Sequence, residues 1–229
     1  MDKTKNTLVP ITKKDKSFAN GYNYYKLFWI FLIGSIAGVV IETLWCLVTT
    51  HHIESRTALV IGPFNPVYGF GAILMTFIYI MLKNKNNFYI FFVCMILGGL
   101  FESFCSLFQE TVFGTVSWYY DADSLGILGK RTSIIYCIFW GILGIVWIKA
   151  IFPNLTNLIE KIPNKTGIIL TWILTFFLIF DMLLSTAAVY RQRQRRNHVE
   201  ADSKINVFLD EKYNDDVLKE IYPNMTVIK

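Results

Sequence analysis

The chain has 229 residues, the length of one domain, and a formal net charge of +5. Hydrophobic residues make up 54%, aromatic residues 16% and charged residues only 17%, below the roughly 25% charged residues of an average globular protein. Of 22 basic and 17 acidic residues, 8 and 7 respectively lie in 191–229. This composition excludes a soluble enzyme, a secreted disulfide scaffold and a nucleic-acid-binding domain, and it predicts a polytopic membrane protein.

Five apolar segments are long enough to cross a bilayer, whose hydrocarbon core of about 30 Å needs about 20 helical residues. We predict spans at 25–49, 63–82, 88–113, 134–152 and 167–190. Because the alternating pattern of barrel strands is absent, the expected fold class is all-α, a transmembrane helix bundle of about five spans, or six if one segment is split. The chain then divides into a basic N-terminal segment (1–24), a transmembrane domain (25–190) and a charged tail (191–229).

The distribution of Lys and Arg predicts the orientation of the spans. Eleven of these residues precede the first span or lie near the connections after the second and fourth spans, and three lie in the other loops. This bias predicts a cytoplasmic N-terminus. Five spans would then place the four arginines of 191–196 on the opposite side, where the rule disfavours them. Either the tail is an exception, or one segment is re-entrant or split.

The tail changes composition abruptly after the fifth span. Its basic start would suit an anionic lipid surface. Two interpretations remain open: a solvated tail that follows a stop-transfer anchor, or a short amphipathic helix with Val217, Leu218 and Ile221 on one side.

Four acidic residues lie inside the predicted spans, where a carboxylate is costly and therefore indicates a site: Glu42, Glu102, Glu110 and Asp181. Counted from the start of each span, Glu42, Glu102 and Asp181 lie about 21–24 Å deep. Their three spans run in the same direction, so we expect these acids to meet in the outer half of the membrane. Ser106 shares a helical stripe with Glu102.

Two arginines on the outer side, Arg56 and Arg131, are the expected counter-charges. Pairing with arginine would keep the acids ionised, whereas burial alone would favour the neutral form. Two interpretations follow. The charges either line a polar cavity that handles a proton, a cation or a charged substrate, or they only pair and hold the helices together.

The segment before the second span is rich in proline and glycine, which break helices and permit close backbone approach. We expect it to form the wall of the site, or alternatively a rigid turn with a glycine-rich packing face. The residues of this predicted wall are Gly62, Pro63, Pro66, Tyr68, Gly69 and Gly71.

Several familiar motifs are not matched by the sequence. The segment 126–132, GILGKRT, has the wrong glycine spacing for a phosphate-binding loop. The four cysteines lie within spans at spacings that fit neither zinc nor a disulfide framework, and His51, His52 and Glu54 are expected in a solvated loop. We therefore predict no catalytic residues, no metal site, no cofactor and no ATPase chemistry in this chain.

An ordered series of residues carries a resemblance to a known family. The series is Glu42; Arg56; Gly62, Pro63, Phe64, Pro66, Tyr68, Gly69 and Gly71; Glu102, Ser106, Glu110 and Phe113; Trp118 and Tyr120; Arg131; Trp140 and Gly141; Asp181 and Ser185. In these residues, over about 25–190, the chain resembles the putative ABC-transporter type IV (CmpB-like) bacterial membrane proteins. It departs from the family pattern at Ser55 and Thr57, at Tyr119, where members usually have an aspartate, and at Lys130, where they commonly have glycine.

The resemblance implies a multi-pass protein of the bacterial cytoplasmic membrane that acts as a transporter permease. It also implies a separate ATPase subunit, for which the loops 83–87 and 153–166 would be the docking segments. The leading hypothesis is transport of a small or lipid-like solute, with carboxylates that exchange protons. The alternatives are an intramembrane enzyme that uses the acids as general acid and base on a lipid or peptide, and a structural or regulatory membrane subunit.

Overall fold

The structure, a computed structural model, describes residues 16–121 and 125–228, so most of the predicted N-terminal segment lies outside the described residues. The helices are α1 (Tyr24–Thr50), α2 (Pro66–Leu82), α3 (Asn87–Phe113), α4 (Ile134–Val146), α5 (Phe152–Ile159), α6 (Asn164–Arg196), α7 (Lys204–Lys212) and α8 (Asp215–Ile221). The short strands are β1 (Thr115–Val116), β2 (Gly126–Ile127), β3 (Thr132–Ser133) and β4 (Thr226–Val227). The predicted all-α membrane bundle is confirmed.

The apolar helices α1, α3 and α6, together with the span Ile134–Ile159, are long enough to cross a membrane, and α2 is a shorter apolar helix. Within Ile134–Ile159 a π-helical turn, Trp147–Ile151, joins α4 to α5. Pro153 explains this turn, because it has no N–H to continue the regular α-helical hydrogen bonding. The fourth span therefore extends beyond the predicted end at 152.

The two ends of the bundle carry different parts of the chain. At the proximal end, where α1, α3 and α6 begin, the Phe18 N–H donates to Asn164 Oδ1 at 2.7 Å and the buried Lys26 pairs with Glu160. At the distal end, Arg196 Nη2 donates to the Phe113 carbonyl at 2.9 Å. The residues that follow α6 are therefore at the opposite end from the start of α1, as five crossings require.

Glycines set the closest contacts between neighbouring helices. A Cβ atom at Gly38 of α1 would lie 2.1 Å from the ring of Tyr68 on α2, and one at Gly98 of α3 would lie 2.3 Å from Trp140 Cγ on α4. Without side chains at these positions, the helix backbones approach closely, which is a common basis of helix association in membranes. These pairs place Tyr68 beside α1 and Trp140 beside α3.

Changing Gly98 to alanine should destabilise the protein, because the added methyl group would overlap Trp140 and force α3 and α4 apart. We expect a loss of about 1–3 kcal/mol in the free energy of unfolding. Gly71→Ala is the matched control, since a Cβ there meets the same Trp140 ring at 3.3 Å and needs only a small shift. Thermal unfolding in detergent measures both variants, and equal melting temperatures would contradict this packing.

A non-helical segment, residues 55–65, runs back into the bundle between α1 and α6; we call it the re-entrant segment. Leu59 is buried in a cluster that includes Leu32 of α1 and Leu178 of α6, and the Phe64 ring lies 6.1 Å from that of Phe177. The Asn65 N–H donates to the Ser35 carbonyl at 3.2 Å. Irregular backbone at this depth is tolerated because protein, and not lipid, surrounds it.

The tail folds onto the distal end of the bundle. Leu218 of α8 is fully buried in a cluster with Ala188 and Val189 of α6, so the apolar side predicted around 217–221 faces protein. β4 pairs antiparallel with β1, with Val116 opposite Thr226. We refer to residues 197–228, from the end of α6 to β4, as the folded tail.

The arginines at the end of α6 are paired within the protein. Arg191 Nε and Nη2 donate to the two carboxylate oxygens of Asp210 at 3.0 and 2.8 Å. Arg195 donates to Asp210 at 2.6 Å and to Asp215 at 2.8 Å. Two of the four arginines that conflict with the distribution of Lys and Arg in the other loops are thus compensated by acids of the folded tail. Arg193 and Arg196 donate instead to backbone carbonyls at the end of α3.

Acid should release the folded tail from α6. Arg191 donates hydrogen bonds to Asp210 and, with Arg195, holds the pKa of that carboxyl below its usual range, while Asp215 on α8 shares Arg195. Because the pKa of Asp210 is lower in the docked tail than in a free aspartate, the Asp210 carboxylate stabilises docking at pH values above about 4. This stabilisation is lost as the pH falls from about 4 through the lowered pKa.

Hydrogen exchange of residues 204–221 measures this release, with the amides of α3 as the internal control. We expect protection of the tail at pH 7 and pH 5 and its loss at about pH 3, while α3 stays protected. Loss of tail protection between pH 7 and pH 5 would contradict the assignment to Asp210.

Candidate functional site

Glu102 of α3 is buried, with 9% of its surface exposed, and hydroxyl groups hold both of its oxygens. Tyr120 donates to Oε1 at 2.6 Å and Thr132 to Oε2 at 2.7 Å. Tyr120 lies in the loop that follows β1, and Thr132 begins β3, just before α4. Among the residues described, no Lys, Arg or His forms an ion pair with Glu102.

Glu42 of α1 contacts α2 and the re-entrant segment. The Tyr68 hydroxyl donates to one Glu42 oxygen, and Arg56 Nη1 lies 3.8 Å from the other. Arg56 also donates to Glu54 at 3.0 Å. Arg56, one of the two predicted counter-charges, therefore lies beside Glu42, and Tyr68 of the predicted wall completes the group.

The loop tyrosine Tyr120, which binds Glu102, lies within electrostatic range of Tyr68 in the Glu42 group. Burial raises the pKa of Tyr120, and Glu102 and the phenols of Tyr136 and Tyr68 raise it further, so Tyr120 remains protonated and acts as a hydrogen-bond donor. The rings of Tyr120 and Tyr136 are 4.7 Å apart. Carboxylates from α1 and α3 thus lie near the same group of tyrosines, although no hydrogen bond joins the two halves among the described residues. We call this set the carboxylate–tyrosine cluster: Glu42, Tyr68, Glu102, Tyr120 and Tyr136.

Glu110, two turns beyond Glu102 on α3, has a different environment. Arg131 Nη2 forms an ion pair with a Glu110 oxygen, and the Arg131 carbonyl accepts from Trp118 Nε1 at 3.0 Å. This group fastens the 114–133 loop to the end of α3. Ser106, one turn beyond Glu102, is buried, and its hydroxyl has no partner among the described residues.

Asp181 of α6 is fully buried and binds the re-entrant segment. Its Oδ1 accepts from the Ile61 N–H at 3.1 Å and from Ser185 Oγ at 3.4 Å. Ser185 Oγ in turn accepts from the Val60 N–H at 2.9 Å. Because unpaired backbone groups are costly at this depth, Asp181 and Ser185 hold the re-entrant segment in place. The second Asp181 oxygen, Oδ2, has no partner among the residues described.

The acids predicted to meet lie at similar heights along their helices. Measured from the first residue of α1, α3 and α6, the residues Glu42, Glu102 and Asp181 lie about 23–27 Å along their axes. Over the described ranges 16–121 and 125–228, no hydrogen bond or ion pair joins two of them directly. Glu42 and Glu102 share the carboxylate–tyrosine cluster, whereas Asp181 binds the re-entrant segment and Ser185.

The predicted wall divides between the re-entrant segment and α2. Gly62, in the left-handed region with a φ of 74°, and Pro63 precede the helix, and Pro66 occupies the first turn of α2. Tyr68 donates to Glu42, while Gly69 packs against Ser35 and Gly71 against Trp140. The wall thus contributes one polar side chain to the cluster and several close packing positions.

The two polar partners of Glu102, Tyr120 and Thr132, and the tail residue Tyr222 were not among the predicted site residues. Tyr120 lies in an aromatic run that resembles an interfacial belt, and Thr132 lies in the segment that resembles a phosphate loop. Tyr222 lies 37 residues after Ser185 in sequence and comes near it only because the tail folds back. Sequence spacing alone gives no signal for such contacts.

Two surface concavities lie away from the acids. One, of about 400 Å³, is lined by Ala150, Ile151, Asn154, Leu155 and Leu158. Another, of about 320 Å³, is lined by Lys85, Asn86 and Tyr89. In this conformation protein donors hold the four acids, so a solute that reaches them must displace these contacts.

One family matches the sequence. A family model described as "Putative ABC-transporter type IV" covers residues 29–186, which include all four intramembrane acids and both arginines. No curated protein and no solved structure was found to match the chain.

Proposed function

Because the chain belongs to the putative ABC-transporter type IV family, we propose that it is the membrane-spanning component of a transporter for a small, positively charged solute. The proposed path passes the carboxylate–tyrosine cluster in the half of the bundle near its distal end. Glu42, Glu102 and Asp181 are its acidic groups, and the re-entrant segment forms part of its wall.

The observation that carries this proposal is the environment of Glu102. A buried carboxylate needs a compensating charge or a proton, and its partners here are hydroxyls. A hydroxyl can donate to an ionised carboxylate or accept from a protonated one, whereas an arginine favours the ionised form alone. Glu102 is therefore the acid best suited to exchange a proton for a cation.

The paired acids have another role in this proposal. Glu110 pairs with Arg131, and Glu42 shares Arg56 with Glu54; removing the arginine of either group would leave an uncompensated charge. They position the 114–133 loop and the re-entrant segment around Glu102. In this proposal these pairs hold the helices and loops together, and proton exchange is assigned to Glu102 alone.

Energy coupling is a further part of the proposal. The family description suggests a separate ATPase subunit, and we place its docking surface at the proximal end, where the predicted cytoplasmic connections lie. These connections, 83–86 and 160–163, are short. The concavity of about 400 Å³ described above is lined largely by α5, which directly precedes the second connection. The exchange step at Glu102 can be measured without this subunit.

A flux assay in proteoliposomes tests the proposed function. Vesicles loaded with the pH indicator pyranine receive an inward gradient of guanidinium, tetramethylammonium or Na⁺, each in a separate run. If the protein exchanges protons for a cation, the interior becomes alkaline faster than in protein-free vesicles with at least one probe. Identical traces with and without protein for all three probes would contradict the proposal.

A further inference from the structure

The folded tail covers the distal side of the Asp181 group. Tyr222, which follows α8, is 7% exposed. Tyr222 packs in one cluster with Ala188 of α6 and Val60 of the re-entrant segment, and the Val60 N–H donates to Ser185. Burial raises the pKa of the Tyr222 phenol. The Tyr222 hydroxyl and Asp181 Oδ2 are both buried, and neither has a hydrogen-bond partner in the described part of the chain.

The tail also binds the loop that closes over Glu102. In addition to the β1–β4 pairing, Asn224 Nδ2 donates to the Ser117 carbonyl at 3.2 Å and the Ile228 N–H to the Gly114 carbonyl at 3.1 Å. The chain continues from these residues to Tyr120, whose hydroxyl binds Glu102. One segment therefore contacts the surroundings of both Asp181 and Glu102.

The tail is attached in a way that allows it to leave as a unit. α7 has 9 residues and α8 has 7, too few for stable helices in isolation. Their structure depends on the buried Leu218 and on the ion pairs of Arg191 and Arg195 with Asp210 and Asp215. Docking and local folding of the tail are thus one cooperative event.

We propose that the folded tail, residues 197–228, is an autoinhibitory cap, and that Tyr222 occupies the position from which a solute would approach Asp181. The inference rests on the proposed function, because a path must exist for the cap to close it. In the capped state Asp181 and Glu102 are both covered. Release of the tail frees Asp181 and loosens the loop that carries Tyr120.

Thiol labelling in detergent tests whether the tail covers α6. Ala188→Cys places a reporter at a fully buried position beneath the tail, and a charged methanethiosulfonate reagent measures its accessibility. Leu218→Asp should undock the tail and raise the labelling rate about tenfold or more, since the docked tail permits reaction only during rare local opening. Glu211→Gln, an exposed change on α7, is the matched control.

Cleavage after folding provides an independent release of the tail. A protease site inserted between His198 and Val199 allows the tail to be cut from the folded protein. Faster labelling of the reporter after cutting and in Leu218→Asp supports the cap. If the labelling rate is unchanged in both, the cap proposal is wrong.

A reversible lock tests autoinhibition. The pair Val116→Cys and Thr226→Cys lies opposite across β1 and β4, where a disulfide can form between antiparallel partners. Oxidation should lower cation–proton exchange in proteoliposomes, and a reductant should restore it; unchanged exchange would overturn the regulatory role. If no form of the protein shows exchange, the proposed transport function fails, and labelling alone decides whether the tail covers α6.

Discussion

Replacing Glu102 with glutamine should abolish most of the cation–proton exchange while the protein remains folded. The amide keeps an oxygen that accepts from Tyr120 or Thr132 but cannot take up a proton or become negatively charged. Loss of a charge-assisted interaction of about 1.5–3 kcal/mol corresponds to a decrease in exchange rate of about tenfold or more. Pyranine fluorescence in proteoliposomes measures this rate.

Two controls separate this loss from misfolding and from a general change in charge. Glu211→Gln removes the same charge at an exposed position of α7 and should exchange at the rate of the unmodified protein. The melting temperature of Glu102→Gln should stay close to that of the unmodified chain. Undiminished exchange in Glu102→Gln would remove Glu102 from the transport path.

Replacing Asp181 with alanine should produce a large loss of stability. The change removes the fully buried acceptor of the Ile61 N–H, and a polar group left without its partner inside the protein costs about 1–3 kcal/mol. Ser185 also loses its partner, so the re-entrant segment should detach from α6. Tryptophan fluorescence during thermal unfolding in detergent records the change, with six tryptophans in the chain as reporters.

The predicted loss of stability depends on whether the side chain at position 181 keeps an oxygen that accepts from the Ile61 N–H. Two matched variants test this dependence. Asp181→Asn keeps an oxygen in the same place and should lose much less stability. Leu183→Ala removes a larger side chain from the same helix at an exposed position and should have little effect. A melting temperature for Asp181→Ala equal to that of Leu183→Ala would contradict the assigned role.

Helix positions were predictable because each span is a long apolar run with a clear end. Asn23, Asn65 and Asn86 accept hydrogen bonds from the first turns of α1, α2 and α3, and the predicted boundaries lie close to these caps. The fourth and fifth spans were predicted too short. α6 remains helical through the charged residues to Arg196, because Arg191 and Arg195 pair with Asp210 of the tail and the other two arginines donate to carbonyls at the end of α3.

The cost of a charge in a membrane identified the four acids, but it did not identify their partners. Glu42 with Arg56 and Glu110 with Arg131 are oppositely charged pairs that sequence can propose. Hydroxyl partners such as Tyr120 and Thr132 carry no such signal, since tyrosine and threonine are common in loops. The return of the tail to Ser185 depends on packing between distant segments, which neither hydropathy nor periodicity encodes.

Infrared difference spectroscopy of the reconstituted protein during a pH change shows whether Glu102 exchanges a proton inside the bundle. We expect a protonated carboxyl C=O band that appears as the pH falls and is absent in Glu102→Gln. This band should decrease when the cation that drives exchange (guanidinium, tetramethylammonium or Na⁺) is added. If the band is unchanged in Glu102→Gln, Glu102 is not the group that takes up the proton.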